Sequence, residues 1–381
     1  MSEFDADLLD DAQRLTAADR NGLLWALATS GAAVRRSRNW RQDTDLSSIH
    51  SDEAPRSLLL ATDAPLSDAA RLVATAGTAR TPSIVWDEAE LPVWAGPADS
   101  LIVATVHGLS ARLAELVDAA RRRGLAVLTV APTGTPVADA AANQPLCEID
   151  PELHPFAATW HALAPMLVGA QEMGALAAID LNELADALDV VSERSGPAED
   201  SYANPAKALA LQLSETYPVV VGCGTLPSVA AQTAAHSLQR LAGVRSAWAA
   251  LPNGADRVAA LLGTATVADP DEDFFRDRLQ EPAARPQLVV IGAEASSHSD
   301  SVATLFAPAG GGEGIERVAA LDALRQLQGM AEAANVRTWL VEVAEGSPIA
   351  RFAGATHLVD FAAAYCSLAR GVNTRHVLGV L

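Results

Sequence analysis

The sequence predicts an α/β protein made of two halves, each a parallel sheet covered by helices, and three observations predict it. Its 381 residues exceed the size at which a single core stops growing, so two domains of ordinary size are the default. Half of the residues are hydrophobic yet only 4% are aromatic, so the core is built from Ala, Val and Leu, as in helix-covered parallel sheets. Short apolar runs alternate with helical patterns, and the order of these elements recurs in the second half.

Residues 1–50 read as a helical segment, with Leu23, Leu24, Leu27 and Val34 at near-helical spacing, followed by the polar stretch QDTDLSSIHSDEAPR. SLLLAT (57–62) is a buried-strand signal. A loop with Pro65 follows, then Ser67 as helix cap and Gly77 as helix stop. SIVW (83–86) and SLIVAT (100–105) are further strands. The second leads through VHGLS into a helix capped by Ser110 and ended by Gly124, and LAVLTVAP (125–132) is the next strand. Residues 51–150 thus form a first domain, and 151–200 form a helical connection ending in the linker SERSGPAEDSYANP.

Residues 201–381 repeat the layout: a helix in AKALALQLSE, the strand PVVVG (218–222), the loop CGTLPS and the helix VAAQTAAHSLQRL. VVVGCGTLPSVAA aligns without gaps on LLLATDAPLSDAA, placing Ser228 on Ser67, and QLVVIG (287–292) corresponds by order to SLIVAT. Duplication explains the repeated order, although generic strand-loop-helix patterning also produces such faint similarity. Parallel sheets bind ligands beyond the carboxyl ends of their strands. Two halves with those loops turned inward make a cleft for a small polar ligand.

A formal net charge of −20 argues against a nucleic-acid partner and against an anionic membrane surface, since phosphates are neutralised by clustered Lys and Arg. It leaves room for a small phosphorylated ligand, which backbone N–H groups at a helix N-terminus can hold. Cys147, Cys223 and Cys366 are widely spaced and odd in number, which fits a reducing cytoplasm rather than a disulfide framework or zinc site. The first residues are acidic where a signal peptide is basic, and no apolar run approaches roughly 20 residues. A cytoplasmic protein is expected, with no membrane segment, cofactor or metal.

Thr105, His107, Gly108 and Ser110 sit between a strand and a helix, where hydroxyls and N–H groups can surround a phosphate oxygen. The bland alternative is that Ser110 is only a cap and Gly108 only a turn former. GCGTLPS (222–228) offers Gly222, Gly224 and Thr225 in the same way, but lacks the third glycine of a dinucleotide fingerprint and is no Walker loop. GGGEG (310–314) lacks a preceding strand and reads as a surface loop. RRSRNWR (35–41) reads as a solvated helix end or a partner contact.

Longer motifs sharpen this reading. LPVWAGPADSLIVATVHGLS resembles the "P-x-W-V-G…D-L-V-I-A-V-S-Y-S-G-N-T" segment of bifunctional phosphoglucose/phosphomannose isomerases. NPAKALALQL before PVVVGCGTLPSVA is similar to that family's entry into its second half, and EGSPIARFAGATHLVDFAAAYCSLARGVN matches its closing segment at Arg351, Asp360, Phe361, Tyr365, Leu368, Gly371 and Val372. The resemblance spans roughly residues 50–377, and the Ala-rich, acidic sequence is similar to an actinobacterial branch, the TobH-like proteins. It implies two SIS (sugar isomerase) domains of flavodoxin-like αβα architecture, related by duplication, and a sugar phosphate such as a hexose 6-phosphate as ligand. The phosphate is then held by Thr105 and Ser110, with Ser67 in the equivalent first loop, and a homodimer is expected by resemblance alone.

The departures from that family bear on catalysis. Its base, a Glu in the helix after the second glycine loop, falls at about Gln239, which accepts no proton at neutral pH. The His of its "LPELNHNE" segment is missing from LPNGADRV (251–258), the first glycine loop reads ATDAP with Asp63 set to repel a phosphate, and its C-terminal Lys has no counterpart. The substitutes to weigh are His107, at a strand end, His236, one turn before Gln239, and His376 near the C-terminus. The sequence therefore predicts a sugar-phosphate-binding protein of the aldose–ketose isomerase type with reduced, altered or absent isomerase activity. The alternative is a non-catalytic sensor or a partner of a sugar-phosphate enzyme.

Overall fold

The computed structural model describes residues 4–77, 81–150, 158–264, 285–292, 313–341 and 345–372. After a 3-10 turn (Ala6–Asp10) come helices α1 (Ala12–Ala18), α2 (Leu23–Ala28) and α3 (Ser30–Asp43). The chain divides into two compact units: a first formed by Trp25–Asp189, and a second formed by Met1–Leu24 together with Val190–Leu381. The sequence reading set its boundaries at residues 50, 150 and 200 instead. The difference has a packing cause: α3 and the later helix α7 (Ala158–Glu172), placed outside the first domain by sequence, pack on each other, and α7 covers the first sheet.

The first unit carries β1 (Ser57–Thr62), β2 (Ser83–Val85), β3 (Asp99–Ala104), β4 (Ala126–Ala131) and β5 (Leu146–Glu148), all parallel in the order β2-β1-β3-β4-β5. Strands β1, β3 and β4 are almost wholly buried, as expected of a sheet covered on both faces. One face packs Leu59, Leu101, Val103 and Val127 against Leu113, Leu116 and Val117 of α5 (Ala111–Arg123) and Val137 of α6 (Pro136–Ala141). On the other, α7 approaches β3 and β4 so closely that a Cβ on Gly169 would stand 2.2 Å from Leu128 Cδ2. Helix α4 (Ser67–Ala76) packs on α7 and on β1. As predicted, α5 is capped by the Ser110 hydroxyl, which accepts the Leu113 N–H, and stops at Gly124 with φ +78°.

The arginines of RRSRNWR find partners within their own unit rather than facing solvent alone. Arg35 pairs with Asp186 and Asp189 of α8 (Leu181–Arg194), Arg38 with Asn182, and Arg41 with Glu172 at 2.5 Å, while the Trp40 indole donates to Leu146 O. Arg36 lies 3.2 Å from Nδ1 of His161, whose imidazole is lowered from 6.5 to about 4 by burial first and the guanidinium second. The unfolded chain takes up a proton in that interval that the folded chain refuses. Stability is therefore expected to fall as pH drops from about 6.5 to about 4, by up to roughly 3 kcal/mol. Urea midpoints measured at both ends of the interval should lie closer together in His161→Phe; an equal gap would remove His161 as the cause.

The second unit repeats the plan with α9 (Pro205–Gln212), β6 (Thr216–Cys223), α10 (Thr225–Ala242), β7 (Ala247–Leu251), α11 (Ala255–Gly263), β8 (Arg285–Ile291), α12 (Glu313–Ala333), β9 (Thr338–Val341) and α13 (Pro348–Ala369). Its parallel order, β7-β6-β8-β9, matches β2-β1-β3-β4 strand for strand. Val219, Val221, Leu288 and Val290 pack on Val258 of α11 and on Leu321, Leu324 and Leu327 of α12. The opposite face is covered by α10, which carries α13 on its outer side. The register Leu58↔Ser100 and Val219↔Leu288 makes Ser100 and Leu288 equivalent, one residue away from the correspondence by order suggested above. Residues 310–312 of GGGEG lie outside the described residues, and Glu313 opens α12.

Candidate functional site

In each sheet the chain leaves the first strand for one neighbour and then crosses to the other side, so the strand order reverses between β1 and β3 and again between β6 and β8. The carboxyl ends of these pairs are where open parallel sheets leave a crevice. The segments predicted from sequence stand there: 61–67 and 105–110 in the first unit, 222–228 in the second. The segment that follows Gly292 lies outside the described residues.

At the first switch point the expected phosphate-binding groups are already engaged. The Asp63 carboxylate accepts the Thr105 hydroxyl at 2.8 Å and the Val106 N–H at 2.9 Å, both on Oδ2, while Thr105 Oγ1 accepts the Gly108 N–H at 3.0 Å. Thr105 is buried, and its hydroxyl has given its one proton to Asp63. Burial pushes the Asp63 carboxyl above its ordinary value, against those two hydrogen bonds and the field of His107, which favour the charged form. Asp63 Oδ1 is buried and has no hydrogen-bond partner among the described residues.

The remaining candidates in this loop hold it in shape. Gly108 sits at φ +67°, and a Cβ there would meet Thr135 Oγ1 at 2.1 Å, so glycine is required for the loop to pass α6. Ser110 is occupied as the cap of α5, and His107 is exposed. Ser67 is not the helix cap predicted: a 3-10 turn over Ala64–Leu66 runs directly into α4, whose N-cap is Leu66, and the Ser67 N–H bonds Ala64 O. Arg112 Nη2 donates to Thr62 O at 2.7 Å, bringing a guanidinium to the end of β1.

Among the described residues, the second switch point has no side chain at the position that Asp63 fills in the first. Gly224, aligned with Asp63, has φ +102° and ψ −177°, a conformation essentially restricted to glycine, and open space where a side chain would project. Helix α10 begins at Thr225, four residues earlier than predicted, with Thr225 exposed. Ser228, read as part of the loop, lies inside the first turn and donates to Gly224 O at 2.5 Å. Gly222 lets β6 pass beneath that turn: a Cβ there would stand 2.0 Å from Pro227 O.

The proton-moving candidates do not gather at this end. Gln239 lies fourteen residues beyond Thr225, about 21 Å along the helix at 1.5 Å per residue, exposed, donating to Ser246 O at 3.0 Å. His236, half-buried, is about 16 Å along. Both belong to the amino-end side of the sheet, because α10 returns the chain to the start of β7. His376 lies outside the described residues.

Several motif residues prove to hold the architecture. Asp99, buried at the amino end of β3, accepts from Arg56, Ser57 Oγ and Gly96 N–H, and Arg56 also donates to Trp94 O and lies over the Trp94 ring. Asn204 caps α9, and buried Lys207 donates to the carbonyls of Pro197 and Glu199 at 2.9 and 2.7 Å, with burial lowering its pKa. Tyr365 donates to Ser195 O at 2.6 Å and Ser237 to Asp360 at 2.5 Å. The linker 195–203 is thus folded down on α9 and α13. The cysteines are free and buried, with thiols pushed up to about 12 by burial. Among the described residues no cluster of His, Cys, Asp and Glu fits a metal, and no helix is long and apolar enough to cross a membrane.

Residues 202–378 match the family described as the bacterial phospho-glucose isomerase C-terminal SIS domain. No curated protein matches the chain. Among solved structures it is similar to a hypothetical protein from Thermus thermophilus, at 15% identity and TM-score 0.61 over 95% of this chain and 89% of that one. A tagatose-6-phosphate ketose/aldose isomerase from Escherichia coli gives 13% identity and 0.56 over 91% of each chain. A putative phosphosugar isomerase from Silicibacter pomeroyi gives 12% and 0.56 over 91% of this chain and 97% of that one. The two parallel-sheet α/β units are therefore SIS-like in fold.

Proposed function

We propose that the chain binds a sugar phosphate, a hexose 6-phosphate, with the phosphate seated at the second switch point on the N-terminal turn of α10. The observation that carries this reading is Gly224: it replaces the carboxylate of the equivalent first-unit position with open space above a helix start. The match of residues 202–378 to an isomerase SIS domain supports the same half of the chain, and the ketose/aldose isomerase likeness supports the ligand class. Of the two loops that the sequence offered, that of Gly222, Gly224 and Thr225 is kept for the phosphate, and Thr105 and Ser110, which the resemblance favoured, are set aside.

The placement of Gln239 and His236 along α10 favours binding without isomerase turnover, which is the second reading: a sensor of sugar phosphates, working as a homodimer in the cytoplasm of an actinobacterium of the TobH-like branch. Moving a proton between C1 and C2 needs a base beside the opened sugar. Among the described residues none stands at the second switch point, and the first offers the exposed His107 beside Asp63, which is half-buried and engaged by Thr105. A thermal-shift panel should show stabilisation by glucose, mannose or fructose 6-phosphate and none by the free hexoses. Purified protein should interconvert these esters at no more than background. Ordinary enzymic rates would reject the sensor reading, and no shift with any ester would reject the ligand.

A further inference from the structure

We propose that Asp63 is a resident anion: its carboxylate fills the oxyanion position of the first unit's switch point, so that switch point is closed to phosphate esters. The inference takes its meaning from the sugar-phosphate reading, yet it stands on geometry that can be tested without a sugar.

Two donors converge on one oxygen. The Thr105 hydroxyl and the Val106 N–H reach Asp63 Oδ2 at 2.8 and 2.9 Å, the arrangement a bound oxyanion would demand of them. Thr105 Oγ1 also accepts the Gly108 N–H at 3.0 Å, and Thr135 stands where a Cβ on Gly108 would project. Both donor residues are buried, so an acceptor is obligatory. Arg112 brings a guanidinium to the end of β1; burial opposes the Asp63 charge, while the Thr105 and Val106 hydrogen bonds and the field of His107 favour it.

Three features separate this role from ordinary capping. Asp63 precedes a 3-10 turn but makes no side-chain cap to it, having turned across to β3 instead. Its second oxygen is buried with no hydrogen-bond partner among the described residues, a cost that a loop built only for stability has no reason to retain. The equivalent position in the second unit is Gly224, which has no side chain to offer. The carboxylate of the first switch point thus has no counterpart at Gly224 of the second. Asp63 against Gly224 is the difference among the described residues; the counterparts of Thr105 and Val106 lie outside them.

Inorganic phosphate is the probe. Asp63→Ala should bind one phosphate per chain more than the wild type in a calorimetric titration, and Thr105→Val added to Asp63→Ala should abolish the gain. Asp63→Asn, whose amide oxygen keeps the position without the charge, should behave as the wild type. If Asp63→Ala is unfolded in its absence, phosphate should restore native circular dichroism, since a soluble anion then takes the vacated place. A folded Asp63→Ala with no gain, a gain that survives Thr105→Val, a gain in Asp63→Asn, or an unfolded variant that phosphate does not rescue would each overturn the proposal. Failure of hexose 6-phosphates to bind the wild type would reject the ligand reading and leave this result intact.

Discussion

Gly222→Ala is expected to abolish sugar-phosphate binding and to destabilise the second unit by at least about 3 kcal/mol. The added methyl would stand 2.0 Å from Pro227 O, 2.2 Å from Pro227 C and 2.5 Å from the Ser228 nitrogen. All three are backbone atoms of the first turn of α10, so no side-chain rotation relieves the clash. Either β6 or the helix start must move, and the turn that would hold the phosphate moves with it. Gly263→Ala is the control, since a Cβ there meets nothing within 4 Å. Chemical denaturation and a hexose 6-phosphate titration of both variants read the effect. A Gly222→Ala protein as stable as the control would show that the strand and turn are not in contact as described.

Asp99→Ala is the second large effect, and it acts on the first unit. The carboxylate is buried while gathering the Arg56 guanidinium, the Ser57 hydroxyl and the Gly96 N–H. Burial alone would raise Asp99, and these hydrogen bonds outweigh it, holding the carboxyl below its ordinary value. Removing it orphans the buried Ser57 and leaves the turn at Gly96 without its acceptor, while the half-exposed Arg56 returns to water. The expected cost is about 3 kcal/mol. Because the folded-state pKa is depressed, this stabilisation is present above the unfolded carboxylate value and lost as pH falls through the folded one. Denaturation at pH 7 and pH 3 should find the gap between wild type and Asp99→Ala large at the first and narrowed at the second. Equal gaps would mean that the hub is held by shape rather than by charge.

Much of the fold was legible because its signals are local. The strands 57–62 and 100–105 are continuous apolar runs, and Ser110 and Gly124 bracket α5 by cap chemistry that acts within one turn. What escaped was set by distance in sequence. Helix α7 belongs to the first unit because Gly169 admits Leu128, a contact no periodicity announces. The start of α10 was read four residues late because Gly224, Pro227 and Ser228 suggest a loop. The glycine serves instead as the N-cap, and Ser228 bonds back to its carbonyl.

The site was legible in part for the same reason. The strand-end loops were identified from their position, but Asp63 was read only as a repulsive charge, whereas it is the partner of Thr105 across the switch point. That pairing depends on β1 and β3 being neighbours, which the order of strands in the chain does not state. Gln239 was placed by counting along a motif, and counting carries no information about which end of a helix faces the ligand.

The central claim is that the switch point of the second unit, and not the one of the first that Asp63 fills, takes the phosphate. A calorimetric titration with fructose 6-phosphate of the wild type, Thr105→Val and Gly224→Ala tests it most directly. The account predicts one site per chain, an affinity unchanged in Thr105→Val, and a loss of about tenfold or more in Gly224→Ala, where φ +102° strains any side chain. Binding that is lost in Thr105→Val and kept in Gly224→Ala would contradict it.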